Sequence, residues 1–247
     1  MPRSTPDKAT ARRTPITTEL LVDAAIELIE SDGLDMLSMR RLADRFGIQA
    51  ASVYWYVASK EHMLDLVVDR LHAMAVQAVL VEQVEQRRTE TESVQQVLRR
   101  FAIGYRSFLL AHPDSARVIS SRLVVGENLS LLIEELLTLF RQAGLAPRES
   151  VHAAYVLLVY VQGFVLHETA PLSVVTARPN DERSTTLNQM QQVLAALPSD
   201  RFPNTSAAAA DLARPDMPTR FTFGLDLLLA GLTQFMESPA AHSPIST

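Results

Sequence analysis

Apolar residues recur every three or four positions along most of this chain, which is the spacing of one face of an α-helix. Strand signals are scarce, because no Asn-Gly or Asp-Gly pair joins two runs of alternating apolar residues. The pattern therefore predicts an all-α fold. Capping residues, glycines and prolines divide it into helices at about 17–32, 39–46, 50–56, 59–81, 93–111, 115–123, 127–143, 148–168, 184–196 and 220–237.

These helices group into a small N-terminal head and a larger body. The fourth helix, 59–81, joins the two, since it spans on the order of 35 Å at ~1.5 Å per residue. We predict a disordered basic tail at 1–15, a three-helix head at 16–62, a body at 82–237 and a polar tail at 238–247. The body includes a linker at 82–92, a loop at 170–183 and a mobile excursion at 198–219.

The second and third helices meet at Gly47 in the packing of a helix-turn-helix. Ser38 caps the second helix and Gly47 ends it, as serine and glycine commonly do. The third helix is too short to be stable alone, so its neighbours must hold it. The apolar positions that close the pair are Leu42, Ala43, Phe46, Ile48 and Val53.

The outward side of the third helix combines aromatic surface with hydrogen-bonding groups, on Ser52, Tyr54, Trp55 and Tyr56. Neighbours on a helix differ by about 100°, so the three aromatic residues cannot all face the core, and we expect one of them to do so. In DNA-binding proteins of this type, the second helix of the motif enters the major groove. The segment therefore predicts a DNA-reading surface, with a plain aromatic core as the alternative.

Basic charge is concentrated around this surface, although the whole chain has a formal net charge of −5. Local charge decides where a phosphate backbone docks. In the tail, Arg12 and Arg13 either reach a minor groove or stay solvated. Residues 36–60 carry four basic side chains against one acid, namely Arg40, Arg41, Arg45 and Lys60 against Asp44.

Other function classes find little support in the sequence. The absence of cysteine excludes disulfides and thiolate chemistry, and it suits a reducing cytoplasm. The chain has no Gly-rich phosphate loop, His-Glu-x-x-His or Gly-x-Ser-x-Gly, so we predict no enzyme, no metal and no cofactor. The apolar run 153–166 is shorter than the ~20 residues of a membrane span, so we predict a buried helix and no membrane partner.

Two helices of the body are more apolar than one chain can bury completely. The helix at 148–168 is apolar nearly all round, which is typical of a helix covered on most sides. Its broad face is formed by Val151, Ala154, Tyr155, Leu158, Val159, Gln162 and Val165. The last helix presents Phe221, Leu225, Leu228, Leu232 and Phe235 at similar spacing.

The centre of the body has the composition of a small-molecule pocket. Apolar walls with sparse polar anchors describe such a site, and the loop at 170–183 could close it as a lid. A plain core with satisfied histidines is the alternative. The candidate pocket residues are Phe101, Tyr105, Ile119, Leu136, Gln162 and His167.

Residues 16–64 resemble the TetR family of bacterial repressors, and the Tyr-Trp segment resembles its tetracycline-repressor class. The residues that carry the resemblance are Gly33, Arg40-Arg41-Leu42-Ala43, Gly47-Ile48, Val53-Tyr54-Trp55-Tyr56 and Lys60. Weaker similarity continues through the body.

The resemblance implies roles for the residues of the head. Arg40 would contact a base or a phosphate, and Ala50, Ala51 and Ser52 would lie at the groove-reading end. Tyr54, Trp55 and Lys60 would hold phosphates, with Tyr56 beside them. The chain departs from the class at Met39 and Ala50, where Thr and Gln are common, so we expect a different operator, with thymine-methyl contacts as one means of reading it.

For the body, the resemblance implies a homodimer of two-fold symmetry on a palindromic operator, with a small-molecule effector. The tetracycline class holds a magnesium–drug chelate with His, Asn and Gln side chains. The matching positions here are Val76, Phe101, Ile119 and Leu136, which offer no ligand for Mg²⁺. His167 falls near an acidic position of the family and would act alone. We therefore predict a largely apolar or aromatic effector other than tetracycline–Mg²⁺.

Three hypotheses follow from the sequence. The first is a repressor that its effector releases from DNA, through a shift of the helix at 59–81. The second is a constitutive or architectural DNA binder with a vestigial pocket. The third, an enzyme with an accessory head, has no catalytic motif to support it, and adjacent residues such as His167 and Glu168 point in different directions on a helix.

Overall fold

The computed structural model describes residues 15–81, 92–169, 180–213 and 216–237, and within these residues it is helical without a β-strand. The all-α prediction is therefore confirmed. Contacts divide the chain into two compact units, residues 1–67 and 68–247. The helices are α1 (Thr18–Asp32), α2 (Met39–Phe46), α3 (Ala50–Val53), α4 (Lys60–Val76), α5 (Val94–Ala111), α6 (Ser115–Ser120), α7 (Glu127–Gln142), α8 (Pro147–Thr169), α9 (Asn180–Ala195), α10 (Pro203–Ala207), α11 (Ala209–Ala213) and α12 (Met217–Glu237).

The smaller unit is built from α1 to α3 and the first half of α4. Thr17 caps α1, since its Oγ1 accepts a hydrogen bond from the Leu20 backbone N–H at 3.3 Å. A 3₁₀ turn, Leu34–Met36, leads from α1 towards α2. Ser59 caps α4, because its Oγ accepts from the His62 N–H at 3.0 Å. The fully buried core of this unit consists of Leu21, Ala25, Leu42, Val53, Val57, Met63 and Val67.

The larger unit is arranged around α8, which contacts α5, α6, α7 and α12. Helix α5 begins with a capping box, in which the side chains of Ser93 and Gln96 each bond the backbone N–H of the other residue. The side chains that fill the core are aromatic and aliphatic. The largest fully buried ones are Phe101, Tyr105, Leu109, Leu132, Leu136, Leu139, Phe140, Leu157 and Phe221.

Several predicted boundaries are wrong. Helix α4 ends at Val76 and continues as a π-helical turn, Gln77–Val81. The segment 198–219 contains α10, α11 and the start of α12, where we expected an excursion. Helix α9 begins at Asn180, inside the predicted loop at 170–183. Contacts of α10 and α11 with α9 and with each other explain both errors, because such packing is not encoded in local periodicity.

Several predictions fall on residues that lie outside the described ranges. They are the tail with Arg12 and Arg13, the linker at 82–91, the lid at 170–179 and the tail at 238–247.

Helices α8 and α12 expose apolar side chains, as the sequence predicts for a single chain. The large apolar residues of α8 that are most exposed are Val151, Tyr155, Val156 and Val159, and those of α12 are Phe223 and Leu227. Helix α8 is the one described helix with the length and hydropathy of a membrane span, but one such helix is a weak signal. Only 33% of its most apolar window is buried within the single chain, so much of its apolar surface is left uncovered there.

Candidate DNA-binding surface and effector site

Helix α2 is capped at both ends. The Ser38 Oγ accepts from the Arg41 N–H at 3.2 Å, so the predicted cap is confirmed. Gly47 follows the helix in the left-handed region, with φ 62° and ψ 37°, where an L side chain is strained. The Ile48 N–H then closes the turn by donating to the Ala43 carbonyl at 3.1 Å. Ala43 is 1% exposed, and its small size allows α3 to approach.

Helix α3 is four residues long and ends before the aromatic segment. We expected it to continue to Tyr56, but Tyr54, Trp55 and Tyr56 form a turn. The Trp55 and Tyr56 N–H groups donate to the carbonyls three residues earlier, at 3.3 and 3.0 Å. At the first turn of α3, Ala51 is exposed, while Ala50 and Ser52 are half-buried.

The aromatic segment faces solvent throughout. Tyr54 is 51% exposed, Trp55 87% and Tyr56 39%. The expectation that one of the three faces the core is therefore wrong. Val53 and Val57 take the inward positions instead, since they lie four residues apart, are joined by a 3.1 Å backbone hydrogen bond and are both fully buried.

The arginines of α2 differ in their partners. Arg41 forms an ion pair with Asp32 and also donates to the Met36 carbonyl at 3.2 Å. Arg45 forms an ion pair with Glu27. Arg40 is exposed and has no ion pair within the described part of the chain. The acids of the N-terminal unit thus neutralise two arginines and leave Arg40 as the available cation of this helix.

Two further residues of the predicted surface differ in exposure. Lys60 is half-buried at the first turn of α4. Met39 is 7% exposed and contributes to the core of the unit. Met39 is one of the two positions at which the chain departs from the tetracycline class, and its side chain points inward.

The structure brings together two of the six predicted pocket residues through a hydrogen bond. The Gln162 Nε2 on α8 donates to the Tyr105 Oη on α5 at 3.0 Å. Phe101, Tyr105 and Leu136 are fully buried, and Ile119 is 6% exposed. His167, near the end of α8, is exposed, unlike these residues. The arrangement is a closed core with one polar contact in it.

Burial controls the ionisation of the tyrosine in this core. It raises the pKa of Tyr105 to about 12, while the hydrogen bond from Gln162 acts in the opposite direction. Tyr105 is therefore neutral at any physiological pH. Its ring is stacked with Phe108 at 6.5 Å and tilted against Phe101 at 5.9 Å between centroids.

A paired arginine lies next to this core, and the sequence analysis missed it. Arg106 on α5 binds Glu168 on α8 with two nitrogens, at 2.6 to 3.0 Å. The guanidinium lies 5.0 Å from the centroid of the Phe221 ring. The partners are 62 residues apart, so no local spacing signals their contact.

The cavities that we identify lie elsewhere in the larger unit. One, of about 320 Å³, is lined mainly by apolar residues of α5, α7 and α12, including Leu98, Phe140 and Leu229. A more open groove of about 500 Å³ lies between α7 and α8. Neither includes any of the predicted pocket residues.

A helix-turn-helix unit followed by a larger helical unit is the architecture of a class of bacterial DNA-binding transcription regulators. Comparisons with known proteins agree. Residues 21–67 match the family described as "Bacterial regulatory proteins, tetR family". Residues 88–236 match the "Tetracyclin repressor-like, C-terminal domain". The chain belongs to the TetR family of transcriptional regulators.

Individual relatives support the same assignment. An HTH-type transcriptional regulator of Saccharopolyspora erythraea is 32% identical over 66% of each chain, just under two thirds of the relative's length. The class D tetracycline repressor protein of Escherichia coli is 30% identical over 65% of this chain and 70% of that protein. ActR of Streptomyces coelicolor, solved in complex with actinorhodin, is 27% identical with a TM-score of 0.74, over 88% of this chain and 95% of ActR.

The raised pKa of Tyr105 predicts a pH dependence of stability. The folded state binds the phenol proton more tightly than the unfolded chain, whose tyrosine pKa is about 10. The stabilisation is therefore complete below pH ~10 and is lost as the pH rises towards 12, by roughly 2–3 kcal/mol in total. Urea unfolding between pH ~9 and ~11 should show this decline in the wild type and a shallower one in Tyr105→Phe. Tyr155→Phe, at a 68% exposed site, is the matched control and should keep the wild-type slope. Equal slopes for all three proteins would contradict the prediction.

Proposed function

We propose that the chain is a homodimeric repressor that binds a palindromic operator and is released by a small, largely apolar or aromatic effector. The observation that carries the proposal is the exposed Tyr54–Tyr56 turn, held outward by the buried Val53 and Val57. Three exposed aromatic rings in a row are costly for a monomeric surface unless a partner covers them.

The proposed DNA surface combines this turn with cationic and small side chains. Arg40 contacts a base edge or a phosphate. Ala50, Ala51 and Ser52 allow the start of α3 to approach the major groove. Tyr54, Trp55 and Lys60 contact phosphates, with Tyr56 beside them. The exposure of Arg40, Ala51 and the aromatic turn supports these roles.

Arg40 and Arg41 provide a matched test, because they are adjacent and differ in pairing. After an operator has been selected from random duplex DNA at fixed salt, Arg40→Ala should weaken binding to it by ~1–3 kcal/mol and relax selectivity if it reads a base. Arg41→Ala should lose less affinity, since its charge is already paired with Asp32. A larger loss for Arg41→Ala than for Arg40→Ala would refute the assignment.

Lys60→Ala should reduce the slope of log K for operator binding against log salt concentration by about 1. The selected site should show two-fold symmetry.

The homodimer is supported by the exposed apolar faces of α8 and α12. Val151, Tyr155 and Val159 lie on one side of α8, at a spacing of four residues, and each is at least 47% exposed. Phe223 and Leu227 repeat this spacing on α12 and are 67% and 60% exposed. An isologous contact would bury both stripes against the same stripes of a second copy.

A charge in this stripe should prevent association. We expect wild-type protein to sediment as a dimer of the 27.3 kDa chain and Val159→Glu to sediment as a monomer with strongly weakened operator binding. Met36→Glu, at a 55% exposed apolar site in the N-terminal unit, is the control and should stay dimeric. A wild-type monomer at micromolar concentration would overturn the dimer.

The proposed effector site is the core around Tyr105 and Gln162, with Phe101, Ile119 and Leu136 as apolar walls and His167 at its margin. The closed packing of these residues means that an effector must stabilise a state in which they move apart. ActR, a protein of similar fold, has been solved with actinorhodin and with (S)-DNPA, which supports a ligand site in this chain. The apolar character of the walls supports an effector other than tetracycline–Mg²⁺.

Compound titration distinguishes this repressor from a constitutive DNA binder. We expect some neutral aromatic compound in a library to release operator-bound protein, and tetracycline with Mg²⁺ not to do so. Near-complete release requires a ~10⁴-fold preference of the compound for the released state. Gln162→Leu should weaken the response and keep operator affinity. Failure of every compound would favour the constitutive binder.

We further infer that the chain has no enzymatic activity and acts in the cytoplasm. Its relatives are transcriptional regulators, and a regulator that binds an operator must be in the compartment that contains the DNA.

A further inference from the structure

The carboxylate of Asp69 joins the second half of α4 to the start of α7. Its Oδ2 accepts a hydrogen bond of 2.9 Å from the Asn128 Nδ2. Its Oδ1 lies 2.5 Å from the point that a Cβ on residue 126 would occupy, and that residue is Gly126. Asp69 belongs to the larger unit, although α4 begins in the smaller one.

The carboxylate, and not the backbone, explains the glycine at position 126. Gly126 has φ −128° and ψ −179°, extended values that any residue adopts. It is the N-cap of α7, which starts at Glu127. The missing Cβ leaves the space in which the carboxylate approaches this helix end, where the N–H groups carry partial positive charge.

Within the described residues, two buried polar atoms on this part of α4 lack a hydrogen-bond partner. One of them is the Asp69 Oδ1. His72, one turn further along α4, is 3% exposed, and its Nδ1 is likewise buried without a partner. Burial lowers the pKa of His72, although the Asp69 charge opposes this, so burial disfavours a positive charge on the imidazole beside Asp69.

The segment before α7 has little apolar packing of its own. All of residues 121–126 are exposed or half-buried, and Leu123 and Val125 are 87% and 76% exposed. Asp69 is therefore a polar contact that holds the start of α7 against α4.

We propose that Asp69 is a positioning residue, which ties α4 to the start of α7 through Asn128 and Gly126 so that a displacement of α7 is passed along α4 to the helix-turn-helix. The proposal rests on the proposed function, since operator affinity is its output. Helix α4 runs without a break from Lys60 to Val76, which supports this role.

A double-mutant cycle tests the contact. Gly126→Ala places a methyl group where the carboxylate lies, so we expect operator binding to weaken by about 5- to 100-fold. In the Asp69→Ala background the same methyl group enters free space, and affinity should change within about twofold. Gly104→Ala is the control, because its Cβ would meet only ordinary contacts at 3.9 Å with Val79.

A distance measurement gives a readout that does not depend on DNA. The chain has no cysteine, so Met36→Cys and Ser107→Cys, both at exposed positions, accept a pair of spin labels. With labelled chains diluted in unlabelled ones, Gly126→Ala should shift the distance distribution, and it should not do so in the Asp69→Ala background. The unfolding temperature is recorded for each variant.

Three results would overturn the proposal. The first is that Gly126→Ala leaves both operator affinity and the spin-label distance unchanged. The second is that Gly126→Ala has the same effects with and without the Asp69 carboxylate. The third is that Gly126→Ala lowers the unfolding temperature without changing the spin-label distance. A wild-type chain that selects no duplex but shows the distance shift would refute the proposed function and support the role of Asp69.

Discussion

The burial of Val53 and Val57 is the contact on which the N-terminal unit depends. A four-residue helix such as α3 cannot form alone, because fixing its first turn costs more than its few hydrogen bonds return. Each fully buried valine contributes about 1.5–3 kcal/mol, which offsets that cost. The two valines also determine which way the segment between them faces. Because positions 53 and 57 point into the core, residues 54–56 lie on the solvent side, and three aromatic rings are exposed together.

In the larger unit, by contrast, the central helix has more apolar surface than its own chain covers. Helix α8 contributes Ala153, Leu157, Val161 and Val165 to the core, each at most 4% exposed. Its other side carries valines and a tyrosine in solvent. A helix of this kind is stable in one chain and still favours association, since the remaining apolar stripe gains free energy only when a second surface removes it from water.

Local rules predicted much of this structure. Ser38, Gly47 and Ser59 mark helix ends through contacts three to five residues long, and each acts as the sequence indicates. The end of α3 was missed because no breaker follows Val53. Other contacts join residues that lie further apart in the sequence. The pair of Arg41 with Asp32, which distinguishes Arg41 from Arg40, spans 9 positions. The pairs of Arg106 with Glu168 and of Asp69 with Asn128 span 62 and 59 positions. No periodicity encodes such pairs, and they decide which charged groups are available.

The closed core around Tyr105 constrains any effector that enters it. Separating α5 from α8 there breaks the hydrogen bond between Tyr105 and Gln162, and a phenol left unpaired in an apolar core costs about 1–3 kcal/mol. Burial also keeps this phenol neutral, so it offers a donor and an acceptor but no charge. A purely hydrocarbon ligand would leave both groups unsatisfied. A ligand that carries a carbonyl or hydroxyl group on an aromatic frame would replace the lost hydrogen bond, and selectivity among apolar compounds would then come from that one polar group.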